Sequence, residues 1–221
     1  MALRYNFCLF DFDGTVADTG EGIKRSVAYS LEKMEHPALP EATLSRFIGP
    51  PLLDSYKEYC GMTDEEAETA ILRYRERYVD IGLYESHLYP GMVQLLQTLR
   101  DAGAYVGIAS AKPQFMLERL AEYYEIDSLL NTIVGIGLEG HSADKRDLIL
   151  RALPEGVDLK RVCMVGDRLF DMEAACALGI GAVGVDYGYA LPGELAGAGA
   201  EVVFSSVSEL AGYLIIDEDG K

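Results

Sequence analysis

The residues of this chain equipped for chemistry fall in four short segments. Asp11-Phe12-Asp13-Gly14-Thr15 closes an apolar run with two acids at i and i+2. On extended chain both point to one side while Phe12 points away, so Asp11 and Asp13 can share a site. Close like charges are costly unless a cation or proton lies between them; alone, the pair reads as a turn with two solvated acids. Val165-Gly166-Asp167-Arg168-Leu169-Phe170-Asp171 carries a second pair. Asp167 leaves an apolar segment directly, and Asp171 follows one helical turn later on the same face, where it also suits the start of a helix. Ala109-Ser110-Ala111-Lys112-Pro113 offers a hydroxyl and turn amides to phosphate oxygens. Serine is equally an ordinary cap, Lys112 reads as solvated, and Pro113 suits a first helical position. Lys145, in Ser142-Ala143-Asp144-Lys145-Arg146, stands at a helix start where the dipole disfavours a cation, and reads either as a surface lysine or as an anion-binding group.

These segments need elements to hold them. Tyr5 to Asp11 reads as a buried strand followed by Gly14, a residue suited to close backbone approach. From Val16 to Ser86 apolar spacing is helical in Gly22–Met34, Glu41–Phe47, Leu52–Tyr59 and Asp64–Ile81, with no strand expected there. Ile48-Gly49-Pro50-Pro51 breaks this block and Tyr89-Pro90-Gly91 ends it. Helix and strand then alternate: helix 91–102, strand 104–109, helix 113–124, strand 132–135, helix 144–153, strand 161–166, helix 170–178, strand 181–185 and a last strand near 201–204. Such alternation implies an α/β fold, a doubly wound and mostly parallel sheet covered on both faces. The expected domains are a core of residues 1–15 and 87–221 and an all-helical cap of residues 16–86. Ligands of such sheets bind beyond the carboxyl ends of the strands, near the switch point, and the acidic motifs fall at strand ends.

Composition narrows the function. Lys and Arg total 19 against 36 Asp and Glu, a net charge of −17, whose field repels nucleic acid and anionic membrane. A phosphate site here needs local positive charge from a metal ion, a lysine or backbone amides. No apolar stretch approaches the roughly 18 residues that span a bilayer, and the first segment is too short and interrupted for a secretory signal, so a cytoplasmic protein is expected. Cys8, Cys60, Cys163 and Cys176 form no CxxC pair and have no histidine nearby, arguing against zinc and disulfides. His36, His87 and His141 share no ligand spacing and are given no role. Arg46 reads as a surface residue that could otherwise reach substrate, and the tyrosines from Tyr74 to Tyr89 read as core or interface. The closing Asp-Glu-Asp-Gly-Lys reads as a solvated tail.

In this order on an α/β chain, the four segments resemble the haloacid dehalogenase superfamily over nearly the whole length. The family's DxDGT is matched by Asp11 to Thr15, its strand-end hydroxyl by Ser110, its lysine by Lys145 and its GDxxxD by Gly166 to Asp171. The cap position, the Ile48 to Pro51 turn and the Gly166-Asp167-Arg168 form look most like the phosphoglycolate phosphatase branch, including relatives that act as nucleotidases.

That resemblance implies a Mg²⁺-dependent phosphatase. Asp11 would attack phosphorus and carry the aspartyl-phosphate, and Asp13 would serve as acid and then base. Asp11, the Asp13 carbonyl and Asp167 would hold Mg²⁺, with Asp171 at or behind that shell. Ser110, Lys145 and the amides around Asp13, Gly14 and Ala111 would surround the phosphoryl oxygens. The expected partner is a small phosphorylated metabolite, phosphoglycolate first and nucleoside 5′-monophosphates second, handled by a monomer or homodimer. A phosphosugar mutase and a non-enzymatic phospho-aspartate switch are the competing readings; receiver switches lack a helical insertion.

Overall fold

The computed structural model describes residues 2–137 and 144–216. Its elements are β1 (Ala2–Leu3), β2 (Phe7–Phe10), β3 (Ala17–Asp18), α1 (Gly20–Lys33), α2 (Glu41–Leu44), α3 (Leu52–Cys60), α4 (Asp64–Tyr78), β4 (His87–Leu88), α5 (Met92–Asp101), β5 (Tyr105–Pro113), α6 (Gln114–Tyr123), β6 (Thr132–Ile136), α7 (Lys145–Arg151), β7 (Val162–Gly166), α8 (Leu169–Leu178), β8 (Gly181–Val185), α9 (Glu194–Gly197), β9 (Val202–Phe204), α10 (Val207–Leu214) and β10 (Ile215–Ile216).

Six strands pair in parallel in the order β6-β5-β2-β7-β8-β9. The chain winds outward from β2 through β5 to β6, then returns to β7 and winds the other way, so the switch point lies between β2 and β7. Phe7-Cys8-Leu9-Phe10 is apolar at every position because a central parallel strand is covered on both faces. Cys8 and Phe10 pack with Val106, Ile108 and Val165 in one layer, and Leu9 packs with Val162, Met164 and Ala182 in the other.

The helices α1 to α4 are inserted between β3 and β4, which pair antiparallel as Ala17↔Leu88 and Asp18↔His87. Within the insertion Ile23, Val27 and Leu31 of α1 repeat at four-residue intervals and are buried with Ala67, Ala70, Ile71, Tyr74 and Tyr78 of α4. A capping box starts α4: the Glu66 amide donates to Thr63 Oγ1 and the Thr63 amide to the Glu66 carboxylate.

Several expectations needed correction. A strand does lie within residues 16–86, since β3 exists; a two-residue strand paired some seventy residues away leaves no local periodicity. The strand expected from Tyr5 to Asp11 is β2, Phe7–Phe10, shorter at both ends, and α4 stops at Tyr78. In contrast, β5 runs past residue 109 to Pro113, with its register shifting between Ala109 and Pro113. The helices α9 and α10 and the β1–β10 pair were not foreseen. His141, Ser142, Ala143 and the acidic tail lie outside the described residues. His36 is half-buried on the insertion and His87 is exposed at its root.

Candidate active site

The ends of β2 and β7 bring the two acidic motifs together. Asp11 leaves β2 with its amide donating to the Val165 carbonyl over 2.9 Å, and Asp167 leaves β7 beside it. One oxygen from each of Asp11, Asp167 and Asp171 lies within 4.8 Å of the others. Asp167 is fully buried and accepts from Thr15 Oγ1 at 3.3 Å and from the Tyr189 amide at 2.8 Å. Between the motifs Gly14 adopts φ +81°, and a Cβ there would sit 2.0 Å from Asp167 Oδ2, so both conformation and space demand glycine.

Lys145 Nζ lies 2.8 Å from both Asp11 Oδ1 and Asp171 Oδ1. The surface-cation reading is therefore overturned: the lysine is placed at the start of α7 against the dipole because two carboxylates outweigh it. Burial would lower its pKa, but Asp11 and then Asp171 hold it above the ordinary lysine value. The contact to Asp171 is an ion pair without hydrogen-bond alignment, and Asp171 Oδ1 is left buried without a hydrogen-bond partner. Burial first, then repulsion by Asp11, raises the Asp171 carboxyl to about 6 against the pull of Lys145. Burial, followed by repulsion from Asp11 and Asp171, also pushes Asp167 well above the usual carboxylate range.

This donor set fits a small hard cation. Three carboxylates converge, burial and repulsion disfavour the charged forms of Asp167 and Asp171, and one buried oxygen of Asp171 lacks a hydrogen-bond partner; Mg²⁺ takes oxygen ligands of this kind. Asp171 lies in the same cluster as Asp11 and Asp167.

Asp13 faces elsewhere. Its carboxylate accepts from Lys112 Nζ at 2.8 and 3.0 Å and from Thr19 Oγ1 at 2.7 Å. Lys112 is buried, contrary to the solvated reading, and also donates to the Tyr78 hydroxyl at 2.7 Å. Burial pulls its pKa down, but Asp13 and Tyr78 more than compensate. The contact joins an acid of the β2 motif to α4 of the insertion, across 99 and 34 residues of sequence respectively. Ser110 is buried with its Oγ accepting from the Lys112 amide at 3.3 Å, and Ala111 is exposed at the rim.

Above these groups lies a cavity of about 150 Å³, bounded by Asp11, Asp13, Ser110 and Lys112 below and by Phe47, Leu53, Ile71, Tyr74 and Tyr78 of the insertion above. Tyr74 and Tyr78, read from sequence as core, are core residues that also wall this space. Arg46 stays outside it, stacked 4.7 Å from the Tyr59 ring and paired with Glu58. Two further contacts join the insertion to the sheet. Arg168 Nη1 donates to the Ile48 carbonyl at 2.6 Å while its Nε pairs with Glu194 at 2.8 Å. The Tyr189 hydroxyl accepts from the Thr19 and Gly20 amides and donates to Asp18. The sequence held no signal for Tyr189, because its partners become neighbours only when the β8–α9 loop folds over β3.

A doubly wound sheet with an inserted helical block, an acid-lysine cluster at the switch point and a cavity above it defines a hydrolase of the phosphomonoesterase class. The chain belongs to the haloacid dehalogenase-like hydrolase family, whose model matches residues 8–185. It is 36% identical over 195 residues to a 5′-nucleotidase of Pseudomonas aeruginosa, covering 88% of each chain. A phosphoglycolate phosphatase of Mannheimia succiniciproducens is 28% identical, with 95% of this chain and 98% of that one covered. Among solved structures, a predicted phosphatase from Clostridium acetobutylicum superposes with a TM-score of 0.88 at 36% identity, covering 95% of this chain and 97% of the other.

Proposed function

We propose that the chain hydrolyses a small phosphomonoester, phosphoglycolate first, through an aspartyl-phosphate on Asp11 with Mg²⁺ as cofactor. The observation that carries the reading is the position of Asp11 at the switch point, where Lys145 bonds its carboxylate and Asp13 stands across the cavity floor. An Asp11 oxygen attacks phosphorus, forming a P–O bond as the bond to the leaving oxygen breaks. Asp13 supplies the proton that the leaving oxygen needs. Water then attacks the acyl phosphate, Asp13 takes its proton, and inorganic phosphate departs with the Asp11 carboxylate restored. Lys145, Ser110 and the amides of Gly14 and Ala111 counter charge on the phosphoryl oxygens. Held by Asp11, the Asp13 carbonyl, Asp167 and Asp171, Mg²⁺ would supply the positive field that a net charge of −17 otherwise denies. Lys112 and Thr19 orient Asp13, and the helical cap of residues 16–86 excludes bulk water.

Nucleoside 5′-monophosphates form a second reading, favoured by the 36% identity to a 5′-nucleotidase and by the aromatic walls Phe47, Tyr74 and Tyr78, which suit a planar base. Cytoplasmic placement is supported by Cys8 and Cys163, free thiols at paired positions of β2 and β7, which a reducing compartment preserves.

The test is phosphate release from a panel of esters with and without Mg²⁺. Turnover should require the metal and fall by at least roughly a thousandfold in Asp11→Asn, as for loss of a nucleophile. Isomerised sugar phosphate with little free phosphate would replace this reading with the mutase.

A further inference from the structure

Five arginines lie in the helical insertion: Arg25, Arg46, Arg73, Arg75 and Arg77. Four are paired with carboxylates, Arg25 with Glu21 and Glu85, Arg46 with Glu58, Arg73 with Glu76, and Arg77 with Glu85. Arg75 has no ion-pair partner among the described residues. Arg100, Arg119, Arg151 and Arg161 also lack a carboxylate partner among the described residues, so it is the surroundings of Arg75, and not the missing partner alone, that call for an explanation.

Its position supplies one. Arg75 lies on α4 with Ile71, Tyr74 and Tyr78, at the spacing that puts all four on one helical face, and all four line the cavity above Asp11 and Asp13. It is half-buried. The other cation of that cavity, Lys112, is already committed to Asp13 and Tyr78. The remaining upper wall, Ile23, Phe47, Leu53 and Ile71, is apolar. A guanidinium among such walls has its charge poorly screened, and its planar fork matches a carboxylate or phosphate through two parallel hydrogen bonds.

We infer that Arg75 selects the substrate by binding a second anionic group, carried on the alcohol half of the phosphomonoester. The phosphoryl end lies at Asp11, and the group on the leaving side points up the cavity to α4. This inference rests on the phosphatase reading above, and adds to it that the favoured esters carry a negative charge beyond the transferred phosphoryl group. A neutral alcohol leaves Arg75 desolvated and unmatched, which is the basis of discrimination.

The experiment compares kcat/KM for three esters with Mg²⁺ present: phosphoglycolate, propane-1,3-diol bisphosphate and ethyl phosphate. They carry a carboxylate, a second phosphate and no second anion, so the first two distinguish the sources of charge. The wild type should prefer one of the anionic esters over ethyl phosphate by more than about tenfold. Arg75→Ala should bring that preference close to unity, mainly through KM. Arg75→Lys, which keeps the charge and loses the fork, should recover part of it. An equal loss for all three esters in Arg75→Ala would show a structural role and overturn the inference while leaving the phosphatase reading intact. A wild type that prefers a neutral leaving group, or a nucleoside 5′-monophosphate whose turnover ignores Arg75→Ala, would do the same. No turnover of any ester would remove the phosphatase reading and this inference together.

Discussion

At the scale of single residues, the site is a balance between carboxylates that resist being charged together and the cations that hold them. Lys145 serves two of the three acids in the trio, and Asp171 still has a raised pKa of about 6. The sign of the resulting pH dependence follows directly. The folded Asp171 holds its proton more tightly than the unfolded chain, so its contribution to stability is most favourable at low pH and declines as pH rises from about 4 through 6. A bound divalent cation favours the deprotonated trio and reverses that penalty. Mg²⁺ should therefore raise the thermal midpoint more at pH 7.5 than at pH 5 in a calorimetric titration; equal gains at both would exclude these carboxylates as the binding site. Asp11 and Asp167 were legible because each leaves an apolar strand abruptly, and Asp13 and Asp171 because they follow at short fixed spacings. Lys112 was not, since the features that bury it, Asp13 and Tyr78, are remote in sequence, and Ala-Lys-Pro looks like any exit from a strand.

At the scale of elements, the Ile48 to Pro51 turn is one point where the insertion touches a sheet motif directly. Arg168, itself fixed by Glu194, donates to the Ile48 carbonyl, and Gly49 follows at φ +103°. A Cβ at Gly49 would meet Arg168 Nη1 at 2.6 Å, although the long side chain can yield, so backbone strain of about 1–2 kcal/mol dominates the cost. Gly49→Ala should loosen the turn that carries Pro50 and Pro51 over the cavity. The expected result is a KM raised several-fold with a smaller change in kcat, and faster amide exchange in α3, measured by steady-state kinetics and hydrogen exchange. Unchanged exchange with a wild-type KM would show that the turn is held by other contacts. Sequence periodicity located α1, α3 and α4 because each buries one stripe, as Ile23, Val27 and Leu31 do. It missed β3, whose two residues have no period, and α10, whose Val207, Leu210 and Leu214 are spaced for a helix but follow a strand closely at the chain's end.

At the scale of the whole molecule, a net charge of −17 opposes the approach of any phosphate ester, while Lys112, Lys145 and Arg75 attract it only at short range. The two effects differ in reach. At low ionic strength the Debye length is about 30 Å and the global field extends well beyond the surface; at physiological salt it is about 8 Å and that field is largely screened. The contacts within the cavity are partly buried and are screened far less. Raising ionic strength from about 10 to 150 mM at saturating Mg²⁺ should therefore increase kcat/KM for a dianionic ester severalfold while kcat changes little, because screening acts on encounter and not on the bound state. Stopped-flow binding to the Asp11→Asn variant would locate the change in the association rate. If kcat/KM fell instead, the local cluster would govern approach from outside the cavity, and the acidic surface would have no part in steering substrate.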